Sequence, residues 1–386
     1  MARVVRQGTA LALVTLVYFV APQARAQIAV SANDNKIALV DGNNTVPANP
    51  GPDTVTILDL GVSPPKVLGE LQAPSSVVGP PQSVAVAPDE SFALVTAAMK
   101  VDPADPKKTA PDDKLTVIDL KANPPAVTQT LQAGAGAAGL SINPAGTLAL
   151  VANRSEGTLS VFSISGKTLT AAGKLDFGKT SQPSHVVFTP DGKTAIVTRD
   201  GDHRVSLLTV DGTKVEDSKK FMVGGFRPYS IVVTPKGDVA VFGNQGGGQG
   251  DADQINVVDL TVNPPRVVDA ITVGQSPEGL SMAPDGAHVA VTVHNGSPRA
   301  KTHPAYNDHG LLRIFRVDGT RLTLVATAKC GVWVQGSAWS RDGKTILVQG
   351  TDAKELQVFA FDGKELKQTG AIKVSGSPVG IRTAMQ

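Results

Sequence analysis

From about residue 28 to its end, the chain alternates short apolar runs with polar breaks. The runs are rich in Val, Ile, Leu and Thr, and Pro, Gly and Asp interrupt them, as in VVFTPDGKTAIVT from Val186. Such a pattern predicts strands joined by turns. No extended stretch has a 3.6-residue apolar period, so little helix is expected.

The pattern repeats. Its clearest copy is PSHVVFTPDGKTAIVT from Pro183, followed by PQSVAVAPDESFALVT from Pro81, PYSIVVTPKGDVAVFG from Pro228 and PEGLSMAPDGAHVAVT from Pro277. Looser copies are AAGLSINPAGTLALVA from Ala137 and VQGSAWSRDGKTILVQ from Val334. IAVSANDNKIALVD from Ile28 matches from its fourth position on and completes seven. A second strand pair follows each copy, clearest in TVTILDLGVSPPKVLGELQ from Thr54 and KLTVIDLKANPPAVTQTLQ from Lys114. Each unit thus supplies four strands, A to D in chain order. The anchor prolines Pro88, Pro144, Pro190, Pro235 and Pro284 are 56, 46, 45 and 49 residues apart. Four strands per period of roughly 40–50 residues describe a propeller blade. One small sheet cannot bury both faces, and radial stacking buries them against neighbours. The fold predicted is all-β, a single seven-bladed β-propeller of four-stranded blades over residues 27–386.

The expected blades are 28–73, 81–133, 137–177, 183–223, 228–274, 277–329 and 334–374. Asp191-Gly192, Lys236-Gly237, Asp285-Gly286 and Asp342-Gly343 supply the tight A–B turns. Pro378-Val379-Gly380-Ile381 begins an eighth A strand with nothing after it, so residues 378–384 are expected to close the ring by pairing with the N-terminal strand. Whether residues 28–31 or 380–384 take the innermost place stays open.

The first 26 residues change the charge picture. Arg3 and Arg6 precede an apolar run of eleven residues at 10–20, and Ala24-Arg25-Ala26 is an A-x-A cleavage pattern. A membrane span needs about 20 residues, so a cleaved signal peptide is expected, cut after Ala26. Cleavage removes three arginines and no acid, turning a formal charge of +2 into −1. Such a balance offers no electrostatic case for nucleic acid. The product is expected to be a periplasmic or secreted monomer without membrane insertion. Cys330 is the only cysteine, which excludes an intramolecular disulfide.

The B-strand ends LVAN (150–153), VFGN (241–244) and IVTR (196–199), together with the Pro-Asp-Gly turns, resemble the YVTN-repeat, lactonase-like seven-bladed propeller superfamily. The resemblance covers nearly the whole mature chain. It implies the propeller fold and either a sugar-lactone hydrolase or a cell-surface or periplasmic binding protein.

Candidate chemistry clusters where B strands end and A strands begin, since blade symmetry brings both sets to one channel mouth. His185, Arg199, Glu278 and His294 are the catalytic candidates for a hydrolase, with His or Glu as general base and Arg199 as oxyanion partner. Asn153, Arg227, Tyr229, Asn244 and Trp333 are the ligand-binding candidates. Long B–C loops at 41–53, 97–113, 244–253 and 294–309 elaborate the same face. His294, His303, His309 and Asp308 have spacings that match no metal-ligand motif, so a solvated loop and no metal are expected. Haem, Walker, zinc-protease and nucleophile-elbow motifs are missing, and no cofactor is expected. These features favour a binding scaffold that presents its loop-rich face to a protein or small molecule, with a lactonase-like hydrolase as the alternative.

Overall fold

The computed structural model describes residues 26–384 together with Met1, Ala2 and Val4. The expected signal peptide, with its apolar run, therefore lies almost wholly outside the described residues. No helix among those described is long and apolar enough to cross a membrane. The only helical element among them is a single 3-10 turn, Lys179–Ser181.

Seven antiparallel four-stranded sheets follow one another around a channel, each in simple A-B-C-D order. Blade 4 is typical, with Pro183–Phe188, Thr194–Arg199, Arg204–Asp211 and Lys214–Met222. Its A and B strands are buried almost throughout, while its D strand faces solvent. That gradient is what radial stacking predicts: apolar side chains lie between blades and polar ones at the rim. Leu94, Leu115 and Val117 of blade 2, for example, pack on Leu140, Val151 and Phe162 of blade 3. Polar stitches tie neighbouring blades as well. Thr198, next to last in its B strand, donates its hydroxyl to the Tyr229 carbonyl of blade 5 at 2.6 Å, and Thr96 and Thr292 do the same to blades 3 and 7.

Ring closure settles the open question about the termini. Ser377–Thr383 takes the innermost place of blade 1, and Ile28–Asp34 pairs with it on one side and with Thr54–Asp59 on the other. The N-terminal strand is therefore a B strand, buried at every position. This corrects the reading of residues 37–41 as a blade strand. Asp34 ends the strand by accepting from the amides of Lys36 and Ile37 at 2.7 and 3.1 Å. The chain then turns out into a small hairpin, Ala38–Val40 with Asn43–Thr45. Residues 97–113 are likewise not a polar loop. The pairing of Phe92–Val101 with Thr109–Asp119 continues past the blade as a two-stranded arm, in which Met99 faces Pro111 and Val101 faces Thr109.

The A strands line the channel. Their third position holds Ser83, Gly139, Ser230, Gly279, Gly336 and Gly380 in six blades and His185 in the remaining one. The ring is tight. A Cβ on Gly139 would lie 2.5 Å from the Ser184 carbonyl oxygen and 2.9 Å from the His185 ring. Glycine there makes room for the one large side chain at this level.

Candidate functional site

The mouth formed by the B-strand ends and A-strand starts is polar and largely enclosed. The residues immediately after the B strands point into it: Arg154, Asp200, Gln245 and His294 from blades 3 to 6. They meet Ser184, Tyr229, Glu278 and Gln335 from the A-strand starts, and Arg227 from the turn before blade 5.

Asp200 organises the cations. It is 1% exposed and accepts Arg154 Nη2 at 2.7 Å and Arg227 Nε at 2.8 Å. Burial pushes its carboxyl up, but Arg227 and Arg154 outweigh that and hold it below the ordinary carboxylate range. Arg154 also donates to the Ser184 hydroxyl and lies 5.2 Å from the centre of the Tyr229 ring. Arg227 stays about one-third exposed, so this edge of the cluster opens to solvent.

Beside this trio lies an acid and base pair. Glu278 is 2% exposed, and burial raises its carboxyl to about 8 against the pull of Gln245, Arg154 and Arg227. Gln245 donates its side-chain amide to Glu278 Oε2. His294 Nε2 lies 3.7 Å from the same oxygen and 3.4 Å from Gln335 Nε2. Burial lowers the imidazole to about 4. At neutral pH the carboxyl therefore holds a proton and the imidazole does not, an inversion of their ordinary order. The Oε1 atoms of Gln82 and Gln335 are buried with no hydrogen-bond partner among the described residues.

Of the residues singled out in the sequence, the structure brings Glu278, His294, Tyr229 and Arg227 together here. Asn153 and Asn244 end their B strands with the side chain turned along the blade. Asn153 Nδ2 donates to the Thr158 and Ser160 hydroxyls, both at 2.9 Å, and Asn244 Nδ2 donates to Asn256 Oδ1 at 2.5 Å. Arg199 occupies the equivalent position. Its guanidinium donates to Ser181 Oγ at 2.8 Å and Ser206 Oγ at 3.2 Å, pairs with Asp202 and covers the Phe177 ring. His185 sits deeper in the channel, where Nδ1 accepts from the Ile231 amide at 3.3 Å, and burial drives its pKa well down. Trp333 is 6% exposed and packs with Val77 and Val379 between blades.

A one-residue register difference explains this sorting. Val293 pairs with Pro277 as Asn153 does with Ala137 and Arg199 with Pro183, so His294 stands one position beyond the strand end. Adjacent side chains on a strand point to opposite faces. The inward set is therefore Arg154, Asp200, Gln245 and His294, and the first three were missed by reading the strand-end residues themselves. Of the other two histidines in the blade 6 loop, His303 stands beside Arg299 and His309 beside Asp308. Among the described residues no three potential metal ligands cluster.

The long loops interlock above this mouth. The hairpin tip of blade 1 touches the blade 6 loop, where Gly42, with φ at 76°, lies so close to Ala300 that a Cβ would clash. Arg299 donates to the Gly248 carbonyl at 2.7 Å, and Gln275 donates to that of Ala305 at 3.2 Å.

Residues 110–225 match the family described as lactonase, 7-bladed beta-propeller, a stretch that carries Arg154, His185 and Asp200. The chain is a seven-bladed β-propeller, and this stretch of it is similar to the lactonase propeller family. Several solved structures share the seven-bladed fold. The periplasmic gluconolactonase of Pseudomonas aeruginosa superposes with a TM-score of 0.67 at 18% identity, over 92% of this chain and 99% of its own. A protein of Bacteroides uniformis described as a 6-phosphogluconolactonase gives 0.72 at 17% identity, over 93% and 100% of the two chains. Its counterpart from Bacteroides fragilis gives 0.71 at 17% identity, over 94% and 99%. No curated protein matches the sequence significantly.

Proposed function

We propose that the protein is a lactonase-like hydrolase that opens a sugar lactone at the polar channel mouth. The observation that carries this reading is the inverted pair: a buried Glu278 raised to about 8 beside a half-buried His294 lowered to about 4, with their facing atoms 3.7 Å apart. Environments that push two titratable groups apart assign acid and base. His294 takes a proton from the attacking water as its oxygen bonds to the lactone carbonyl carbon. Arg154 and Arg227, held in place by Asp200, stabilise the oxyanion. The ring C–O bond then breaks, and Glu278 gives its proton to the departing alkoxide. Proton transfer from His294 back to Glu278 resets the pair, so one water is consumed and one hydroxy acid released. The free Oε1 atoms of Gln82 and Gln335 suit a substrate with several hydroxyls.

The lactonase-like fold and the gluconolactonase-type relatives support this reading over that of a presenting scaffold, which draws no comparable support. The signal-peptide pattern and the periplasmic relative support action outside the cytoplasm. The test is hydrolysis of glucono-δ-lactone and a panel of related lactones. Turnover above the spontaneous rate that is lost in Glu278→Gln and His294→Ala, with unchanged circular dichroism, is the expected result. Turnover equal to the spontaneous rate across the panel would leave the scaffold reading in its place.

A further inference from the structure

The opposite mouth has its own chemistry. The ends of the A strands surround a cavity of about 260 Å³ that opens between the A–B turns, at a rim of Pro144, Pro190, Pro235 and Trp339. Its walls are mainly apolar, with Val84, Leu140, Val187, Ile231 and Met282 beside smaller polar side chains such as Ser141 and Thr234. At its inner end stand Arg382 and His185.

Arg382 departs from the repeat. Strand register places it level with Ala85, Ser141, Val187, Val232, Ser281 and Ala338, all small or apolar. Its guanidinium makes one hydrogen bond, Nη1 donating to the Leu280 carbonyl at 3.3 Å, and no carboxylate of the described residues pairs with it. A guanidinium has five N–H donors, so most remain available. His185 adds another. Its Nδ1 accepts from the Ile231 amide, which leaves the ring proton of the neutral imidazole on Nε2. A cation enclosed by apolar walls without a counter-charge is costly, and an anionic ligand relieves that cost. Burial draws the Arg382 pKa down to about 10, and no carboxylate among the described residues opposes it.

We propose that this mouth binds a small amphipathic carboxylate, with its carboxylate between Arg382 and His185 and its apolar body along the channel wall towards Met282 and the proline rim. The size fits: an apolar cavity of about 150 Å³ accommodates benzene, so this one accommodates a ring with a short chain. A polyhydroxylated sugar acid does not suit these walls, so the ligand differs in class from the lactone of the polar mouth. The proposal stands whether or not that mouth is hydrolytic.

Calorimetric titration of the full chain with 4-phenylbutyrate, beside the uncharged 4-phenylbutanamide, tests it. The carboxylate is expected to bind more tightly than the amide, and Arg382→Met to weaken it about tenfold or more while leaving the amide unchanged. Met282→Trp, which fills the cavity away from the cation, is expected to abolish both and decides the matter if Arg382→Met does not fold. Absence of carboxylate binding, equal affinities for the two probes, or binding that survives Met282→Trp in a folded protein would overturn the proposal.

Discussion

The two mouths of one channel are built from the same repeat yet carry opposite chemistry. At the polar mouth, five charged or titratable groups partner one another: Asp200 holds Arg154 and Arg227, and Glu278 stands beside His294. At the apolar mouth a single cation, Arg382, has no carboxylate partner among the described residues and stands at the end of a largely hydrophobic cavity. The difference arises from position along the A strand. Its start adjoins the variable loops and the residues that follow the B strands, where polar side chains find partners from several blades. Its end adjoins the short A–B turns, where the A strands face mainly their counterparts in the other blades. Partnered polar groups form a site that manages protons, whereas an unpartnered one forms a site that awaits an anion.

The largest effect should come from removing the proton donor of the polar mouth. Glu278→Gln is expected to lower lactone turnover about 10²–10⁴-fold in steady-state assays, the usual range for a general acid or base. Arg227→Ala should cost about 10²-fold in kcat, as loss of one oxyanion donor does, with a smaller change in KM. Asn153→Ala tests the register argument. It should destabilise the fold by about 1–3 kcal/mol in urea titration, because Asn153 serves the Thr158 and Ser160 hydroxyls.

The smallest effect is on stability against pH. Glu278 is raised from 4.5 to about 8, so the folded protein holds a proton that the unfolded chain releases, and stability falls as pH rises through that window. His294 is lowered from 6.5 to about 4, so its contribution is present above 6.5 and lost as pH falls through 4. Between about 4.5 and 6.5 the two slopes cancel. Thermal melts should therefore show a loss of stability from 6.5 to 8, which Glu278→Gln removes.

The architecture was legible because it follows from periodicity alone. Six copies of an A–B hairpin, most with Pro and Gly at fixed offsets, leave few alternatives, and the leftover strand at 378–384 announced ring closure. Blade 1 was harder. Ile37 to Val40 reads like a blade strand, and only the Asp34 turn, which also draws in the Val77 amide at 2.8 Å, shows where the real strand stops. The polar site was half legible. Glu278 and Tyr229 lie at A-strand starts, where the proline anchor marks the register. Arg154, Asp200 and Gln245 lie one residue past B-strand ends, where nothing in the sequence marks which of two adjacent polar residues turns inward. Arg382 was not singled out in the sequence, because its setting depends on every blade around it.

The pH dependence of kcat/KM for lactone hydrolysis tests the central claim most directly. The account predicts a bell with limbs near 4 and 8, set by His294 and Glu278, and loss of the upper limb in Glu278→Gln. An upper limb that stays in place in that variant, or turnover no faster than spontaneous hydrolysis at any pH, would contradict it.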